Sequence, residues 1–166
     1  MEIWDLYTEG RVKTGETQVR GAALPADRFH LVVHVWIVNP KGEYLISQRA
    51  ASRPSYPLMW ECVGGSVIKG ETSIEGAIRE VKEEVGIHLS PESGTLMDSE
   101  VRKKVGGATF NDIKDVWLFP YDGEIPLEKA TTDEVADAKW MTRDEIAEFN
   151  RSGRLVPTLA YFFDLF

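Results

Sequence analysis

The spacing of apolar residues changes at Ile74, and that change constrains this chain more than any other feature. From there Ile74, Ala77, Ile78, Val81 and Val85 fall on one helical stripe. Thr72 followed three residues later by Glu75 is a capping box for the start, and Gly86 supplies a left-handed residue for the end. The pattern predicts an amphipathic helix between Thr72 and Gly86. Ahead of it the period is that of strands. Phe29 to Val38 is rich in β-branched and aromatic residues, and Asn39-Pro40-Lys41-Gly42 supplies a turn before Glu43 to Gln48, which reads as a β-hairpin. The short apolar run Trp60 to Val63 stops at Gly64-Gly65, a pair that suggests backbone angles other residues resist. Downstream, Thr109 to Pro120 and Ala138 to Met141 read as strands, Thr142 to Asn150 as a second helix, and Thr158 to Phe166 as an apolar C-terminal segment.

With 166 residues the chain suits one domain, 1–166, with no internal repeat. One cysteine, Cys62, builds neither a disulfide framework nor a multi-cysteine zinc site, and the acidic start Met1 to Leu6 lacks the positive charge of a signal peptide. The most apolar stretch, Leu31 to Val38, is far shorter than the ~20 residues of a membrane helix. The expectation is a cytoplasmic protein without membrane partners. A formal charge of −8 argues against a nucleic-acid polymer as partner, because such binding rests on Lys and Arg neutralising phosphates. A small phosphate ester held through a metal ion stays open, as does a homodimer.

Glu80, Glu83 and Glu84 stand at i, i+3 and i+4 on the predicted helix, so their carboxylates share a face away from the apolar stripe. Taken alone, beside Arg79 and Lys82, they make a solvated acidic face. Three converging carboxylates are also hard oxygen ligands of the kind Mg²⁺ or Mn²⁺ prefers, and a Gly64-Gly65 turn could add a bare carbonyl.

Gly65, five residues, Glu71, seven residues, then Arg79-Glu80-Val81-Lys82-Glu83-Glu84-Val85-Gly86-Ile87 matches every position of GX5EX7REUXEEXGU, with U apolar. Seven fixed residue types make a chance match on the order of 10⁻⁹ per start position. By this motif the chain resembles the Nudix hydrolases. The resemblance implies an α+β fold, a mixed β-sheet sandwiched between α-helices, and metal-dependent hydrolysis of a diphosphate linked to another moiety, a nucleoside diphosphate derivative or similar, by water attack on phosphorus, with Mg²⁺ or Mn²⁺ as cofactor. It implies Glu80, Glu83, Glu84 and the Gly65 carbonyl as metal ligands, with Glu71 and Arg79 orienting the carboxylates. Glu134, six residues before Trp140, resembles the later-loop glutamate that serves some members as general base or extra ligand.

Beyond the motif, the N-terminal Glu2 to Tyr7, the segment FHLVVHVWIVNPKGEYLISQRA and the PLMWE lead-in resemble the branch that includes isopentenyl-diphosphate isomerases. The isomerase cysteine falls at Gly64 and its following histidine at Ser66, so both are missing. Cys62 sits two residues early, ~6–7 Å along a strand, and reads as a buried core thiol. His30 matches an isomerase metal histidine, but Ala23 stands where its partner belongs, so His30 and His34 read as core hydrogen-bonding or pocket-lining residues. Arg49 and Arg53 fall near basic positions that contact diphosphate in that branch, whereas Arg102-Lys103-Lys104 reads as a solvated loop or strand end. Trp4, Tyr7, Trp36, Trp60 and Trp117 suit core packing, or stacking on a base or prenyl chain. The intact motif favours a diphosphohydrolase; an isomerase-like enzyme and a catalytically silent Nudix-fold binding module are the alternatives.

Overall fold

The computed structural model describes residues 1–105 and 107–166. In chain order the elements are β1 (Ile3–Tyr7), β2 (Lys13–Val19), β3 (His30–Val38), β4 (Tyr44–Arg49), β5 (Trp60–Glu61), β6 (Val63–Ser66), α1 (Ser73–Val85), β7 (Thr95–Val105), β8 (Ala108–Pro120), β9 (Val135–Met141), α2 (Arg143–Arg151) and α3 (Phe162–Leu165). β3 is the spine. One of its edges runs parallel to β8 from His30↔Asp112 to Val38↔Pro120; β6 lies antiparallel to it through Val32↔Ser66 to Val35↔Val63. Leu31, Val33, Val35 and Ile37 pack with Ala77, Val81 and Val85 of α1, while Trp36 packs with Ile146 and Phe149 of α2 and Phe162 of α3. Burial on both faces is why this strand reads as a nearly continuous apolar run. The result is the expected mixed sheet between helical layers.

The helix predicted from the spacing forms as α1, with the Thr72–Glu75 capping box complete and Gly86 at φ +75. α2 begins the same way, Thr142 capping and Glu145 closing the box. The hairpin is only partly as expected. The Asn39 side chain accepts the amides of Lys41 and Glu43 and closes the turn, but β3 and β4 pair only at Val38↔Tyr44. Past that point β6 takes the edge of β3, and β4 turns to β9 and β5. Three strands are present that the periodicity did not mark out at all, β7 and the two of the β1–β2 ribbon at the N-terminus. β7 corrects the reading of the basic triplet: Arg102 is buried within it and donates two 2.7 Å hydrogen bonds to Asp112 across the β7–β8 pair, while Lys103 and Lys104 are exposed. No helix among the described residues is long and apolar enough to cross a membrane.

Gly64 and Gly65 lie inside β6, and neither has a positive φ. The reason for glycine is space, not backbone freedom. A Cβ on Gly64 would sit 2.5 Å from the Val33 carbonyl oxygen, and one on Gly65 would sit 2.3 Å from Glu80 Oε1. Gly64→Ala therefore has to push β6 away from β3, and overpacking of this kind costs about 2 kcal/mol, or about 4–8 °C in melting temperature. Thermal unfolding of the variant beside Gly10→Ala, at an exposed turn without a positive φ where a Cβ would meet only Thr8 Oγ1 at 3.8 Å, measures this. A Gly64→Ala variant as stable as wild type would put the close strand approach in doubt.

Candidate active site

Arg79 gathers the acidic residues that the spacing singled out. Its Nε donates to Glu71 Oε1 at 2.7 Å and its Nη2 to Glu71 Oε2 at 3.1 Å and to the Ser66 carbonyl at 3.0 Å. Its Nη1 donates to Glu80 at 2.9 Å and Glu83 at 3.2 Å. Glu71 in turn accepts the Ile68 amide, so the loop between β6 and α1 is tied to the same guanidinium. Burial alone would lower the pKa of Arg79, but the bonds to Glu71 and the charge of Glu80 outweigh it and hold the arginine cationic.

Glu80 and Glu84 are not on a solvated face: they are 8% and 6% exposed. Burial, with Glu83 nearby, pushes Glu80 up to about 7 against the pull of Arg79. Burial likewise pushes Glu84 well above the carboxylate range, reinforced by Glu80, Glu61 and Glu134. Among the described residues Glu84 has no cation within ion-pair distance. Glycine at position 65 leaves the room that the Glu80 carboxylate fills.

Glu84 and Gly65 open into a cleft of about 370 Å³ that is also lined by Arg49, Arg53, Glu61, Ser55, His34, Arg20 and Thr158. Arg49 Nη1 bonds Glu61 at 2.7 Å, and Arg53 Nη1 bonds Glu134 at 2.7 Å. Both arginines thus line the same cleft as Glu84. The loop carrying Glu134 is pinned at both ends of this arrangement, since Thr131 donates its amide to the Glu83 carbonyl and Ala50 donates to the Glu134 carbonyl. Of the residues expected at the site, Gly65, Glu84, Arg49 and Arg53 line this cleft and Glu134 is one bond from it, while Glu71, Glu80 and Glu83 are gathered on Arg79 behind it. A larger depression, about 720 Å³ beside the Asn39–Glu43 turn, contains none of them.

Two further residues bear on the cleft, Glu61 in its lining and Tyr161 through the lining residue His34. Glu61 stands in a short apolar run, and burial raises its pKa while Arg49 opposes the shift; a lone acid two residues from the end of such a run is a signal the sequence reading passed over. Tyr161, in the C-terminal segment, accepts a hydrogen bond from Trp36 Nε1 at 3.1 Å and lies 2.7 Å from His34 Nδ1. Nothing local marks Tyr161, because its partners are more than a hundred residues away. Cys62, next to this network, is buried, and burial raises its thiol far above the ordinary range, as a core thiol requires. Trp36 and Trp60 are core residues, as is Tyr7, while Trp117 is half-buried against the core.

As they stand, no three His, Cys, Asp or Glu side chains among the described residues are in coordinating positions, and Arg79 Nη1 occupies the space between Glu80 and Glu83. The donor chemistry nevertheless fits a hard divalent ion: two buried, mutually repelling carboxylates, one of them without a cation. The same crowding sets a pH dependence. A carboxylate whose folded pKa lies above its unfolded value contributes stability below the unfolded value and loses it as pH rises through the folded one. In metal-free protein, Glu84→Gln removes this loss, so its melting temperature equals that of wild type near pH 4 and exceeds it near pH 8. Thermal melts in chelator at both pH values test this; an advantage that shrinks with rising pH contradicts the buried-carboxylate assignment.

Residues 28–165 match the NUDIX domain. The chain is 38% identical over 164 residues to an uncharacterized Nudix hydrolase of Listeria monocytogenes, covering 98% of this chain and 91% of that protein. It is 28% identical over 131 residues to the isopentenyl-diphosphate Delta-isomerase of Escherichia coli, covering 78% of this chain and 70% of that one. In fold it resembles a crystal structure from Deinococcus radiodurans with TM-score 0.71 at 23% identity, over 93% of this chain and 92% of the other. With the motif complete from Gly65 to Ile87 and its Glu71, Glu80 and Glu83 gathered on Arg79, the chain belongs to the Nudix hydrolase family.

Proposed function

We propose that this chain is a Mg²⁺- or Mn²⁺-dependent diphosphohydrolase that cleaves a diphosphate linked to another moiety by attack of water on phosphorus. The observation that carries the reading is that buried Glu84, with no cation within ion-pair distance among the described residues, shares one cleft with Arg49 and Arg53. Glu80, Glu83, Glu84 and the Gly65 carbonyl would hold the divalent cation, which neutralises phosphate charge and lowers the pKa of a coordinated water. Arg79 and Glu71 fix the carboxylate positions. Arg49 and Arg53 grip the diphosphate, exchanging Glu61 and Glu134 for phosphate oxygens, since guanidinium forks suit both. That exchange frees the Glu134 carboxylate to accept the proton of the attacking water. The partner is a small-molecule diphosphate, and the compartment we assign is the cytoplasm.

The isomerase alternative is disfavoured because Gly64 and Ser66 stand where that chemistry needs cysteine and histidine. A silent binding module is disfavoured because all motif carboxylates are retained. A screen of diphosphate-containing metabolites with Mg²⁺ or Mn²⁺, scoring released products, tests the reading. Turnover of isopentenyl diphosphate alone, by isomerisation, would reverse it.

Three quantities follow. A cation bound only by the native fold stabilises it by ~2.7 kcal/mol at a hundredfold excess over Kd, so the melting temperature rises with Mg²⁺ or Mn²⁺ and falls back with chelator. Glu84→Gln lowers kcat at saturating metal by about 10³, equivalent to ~4 kcal/mol of lost transition-state stabilisation; retention of more than about a tenth of kcat removes Glu84 from the catalytic set. Arg49→Ala raises KM more than it lowers kcat, because the grip on phosphate is shared by ground and transition states. Since that change also strips Glu61 of its partner, Glu61→Gln is measured beside it, and unchanged KM in Arg49→Ala rules out the phosphate contact.

A further inference from the structure

His34 reaches the cleft from β3, and what surrounds its ring treats the two nitrogens differently. It lies opposite Gly64 in the β3–β6 pair, next to the Gly65 carbonyl in the chain of β6, and lines the cleft together with Gly64, Gly65, Glu84, Arg49 and Arg53. A Cβ on Gly64 would come 3.5 Å from His34 Cδ2, the carbon bonded to Nε2. Glycine at that position therefore places no side chain over the Cδ2–Nε2 edge, and His34 is half-buried where most of β3 is sealed.

The other edge is engaged. His34 Nδ1 lies 2.7 Å from Tyr161 Oη, and the same hydroxyl accepts a 3.1 Å hydrogen bond from Trp36 Nε1. An indole N–H can only donate, so it takes a lone pair of the phenol oxygen and leaves the phenol hydrogen to be given elsewhere. The Tyr161 ring is held for that donation: Lys114 Nζ, itself bonded to Glu100 at 2.8 Å, sits 4.1 Å from its centroid, and Trp36 packs edge-on at 6.3 Å. Burial, with Arg102 and Lys114 nearby, pushes His34 down to about 3, so its imidazole is neutral near pH 7 and has one donor and one acceptor nitrogen. A neutral ring whose Nδ1 accepts from a phenol carries its proton on Nε2.

We infer that His34 contacts the substrate, its Nε2–H donating a hydrogen bond to a phosphate oxygen of the diphosphate, and that Tyr161 is the positioning residue that keeps the proton on Nε2. The identity of the ligand rests on the diphosphohydrolase reading. A neutral donor suits this place. Arg49 and Arg53 already bring positive charge to the cleft, and a third cation would oppose entry of a divalent ion at Glu84, whereas an N–H adds a bond and no charge. In the opposite tautomer Nε2 presents a lone pair to phosphate oxygens, and the contact turns repulsive. The tautomer thus sets the sign of the contact, and a hydroxyl 127 residues away sets the tautomer.

The test uses the full chain with Mg²⁺ and methylenediphosphonate, whose P–C–P bridge is not hydrolysed, so that binding is read apart from catalysis. Long-range proton–nitrogen NMR spectra of the imidazoles, with the His34 signals identified by their loss in His34→Gln, report the tautomer. The expected result is a protonated Nε2 in the free protein and a shift of that nitrogen when the probe is added. By calorimetry, affinity for the probe falls about tenfold in His34→Ala and returns to within about threefold of wild type in His34→Gln, whose amide N–H reaches the place of Nε2–H. Tyr161→Phe keeps the ring, moves part of the His34 signal to the other tautomer and weakens the probe about threefold or more. A merely structural role lowers the melting temperature of these variants and leaves the affinity of the folded protein unchanged. Should His34→Ala not fold, the His34 spectrum and the Tyr161→Phe affinity decide. A proton on Nδ1 in the free protein, an Nε2 that ignores the probe, affinities unchanged in the variants, or no binding of the probe at about 10 mM overturns the inference. A probe-responsive Nε2 with no hydrolysis of any diphosphate when Mg²⁺ or Mn²⁺ is added leaves the contact standing and removes the hydrolase reading. Hydrolysis of a diphosphate with His34 silent does the reverse.

Discussion

Glu80 and Glu84 are carboxylates forced into a nearly dry space between α1 and a strand of glycines, and the rest of the site is arranged around that cost. Removing ionised groups from water is expensive unless charge and hydrogen bonds compensate. Compensation for Glu80 comes from Arg79, whose remaining donors also take in Glu71, Glu83 and the Ser66 carbonyl, so a single guanidinium fixes one end of the helix face. Glu84 has no such partner among the described residues. The consequence is a helix held in place whose one carboxyl without a cationic partner, its ionisation disfavoured by burial, opens into a cleft.

The rest of the cleft answers with the same chemistry in reverse. Arg49 and Arg53 are each matched to one carboxylate, Glu61 and Glu134, so the cleft carries cations that are already paired and a buried carboxyl whose ionisation is disfavoured until a cation reaches it. Such an arrangement is poised for a ligand that brings negative oxygens and a positive ion together, because both can enter by exchange of partners and no new charge is left buried. The loop that bears Glu134 is tied by its backbone to Glu83 on α1 and to Ala50 beyond β4, which couples these segments.

The functional helix was legible in the chain because its information is local. The stripe, the Thr72–Glu75 box, Gly86 and the i, i+3, i+4 glutamates lie within one short segment, and each was found where the spacing put it. The glycine pair was legible as a constraint but not for the right reason: its φ values are ordinary, and only the neighbouring Val33 carbonyl and Glu80 carboxylate show what a Cβ would strike. β7 and the basic triplet were illegible because Arg102 reads as a surface residue until Asp112 on the partner strand is seen to neutralise it.

The sequence by itself determined the acidic helix, its caps, the complete family motif and hence the class of chemistry, all of which depend on residues close enough in the chain to share one periodicity. Tertiary structure alone decided which glutamates are dry, that Arg49 and Arg53 line the same cleft as Glu84, and that Tyr161 meets His34. Burial and pairing are properties of neighbours brought together by the sheet, from segments up to 127 residues apart, and no local pattern encodes them.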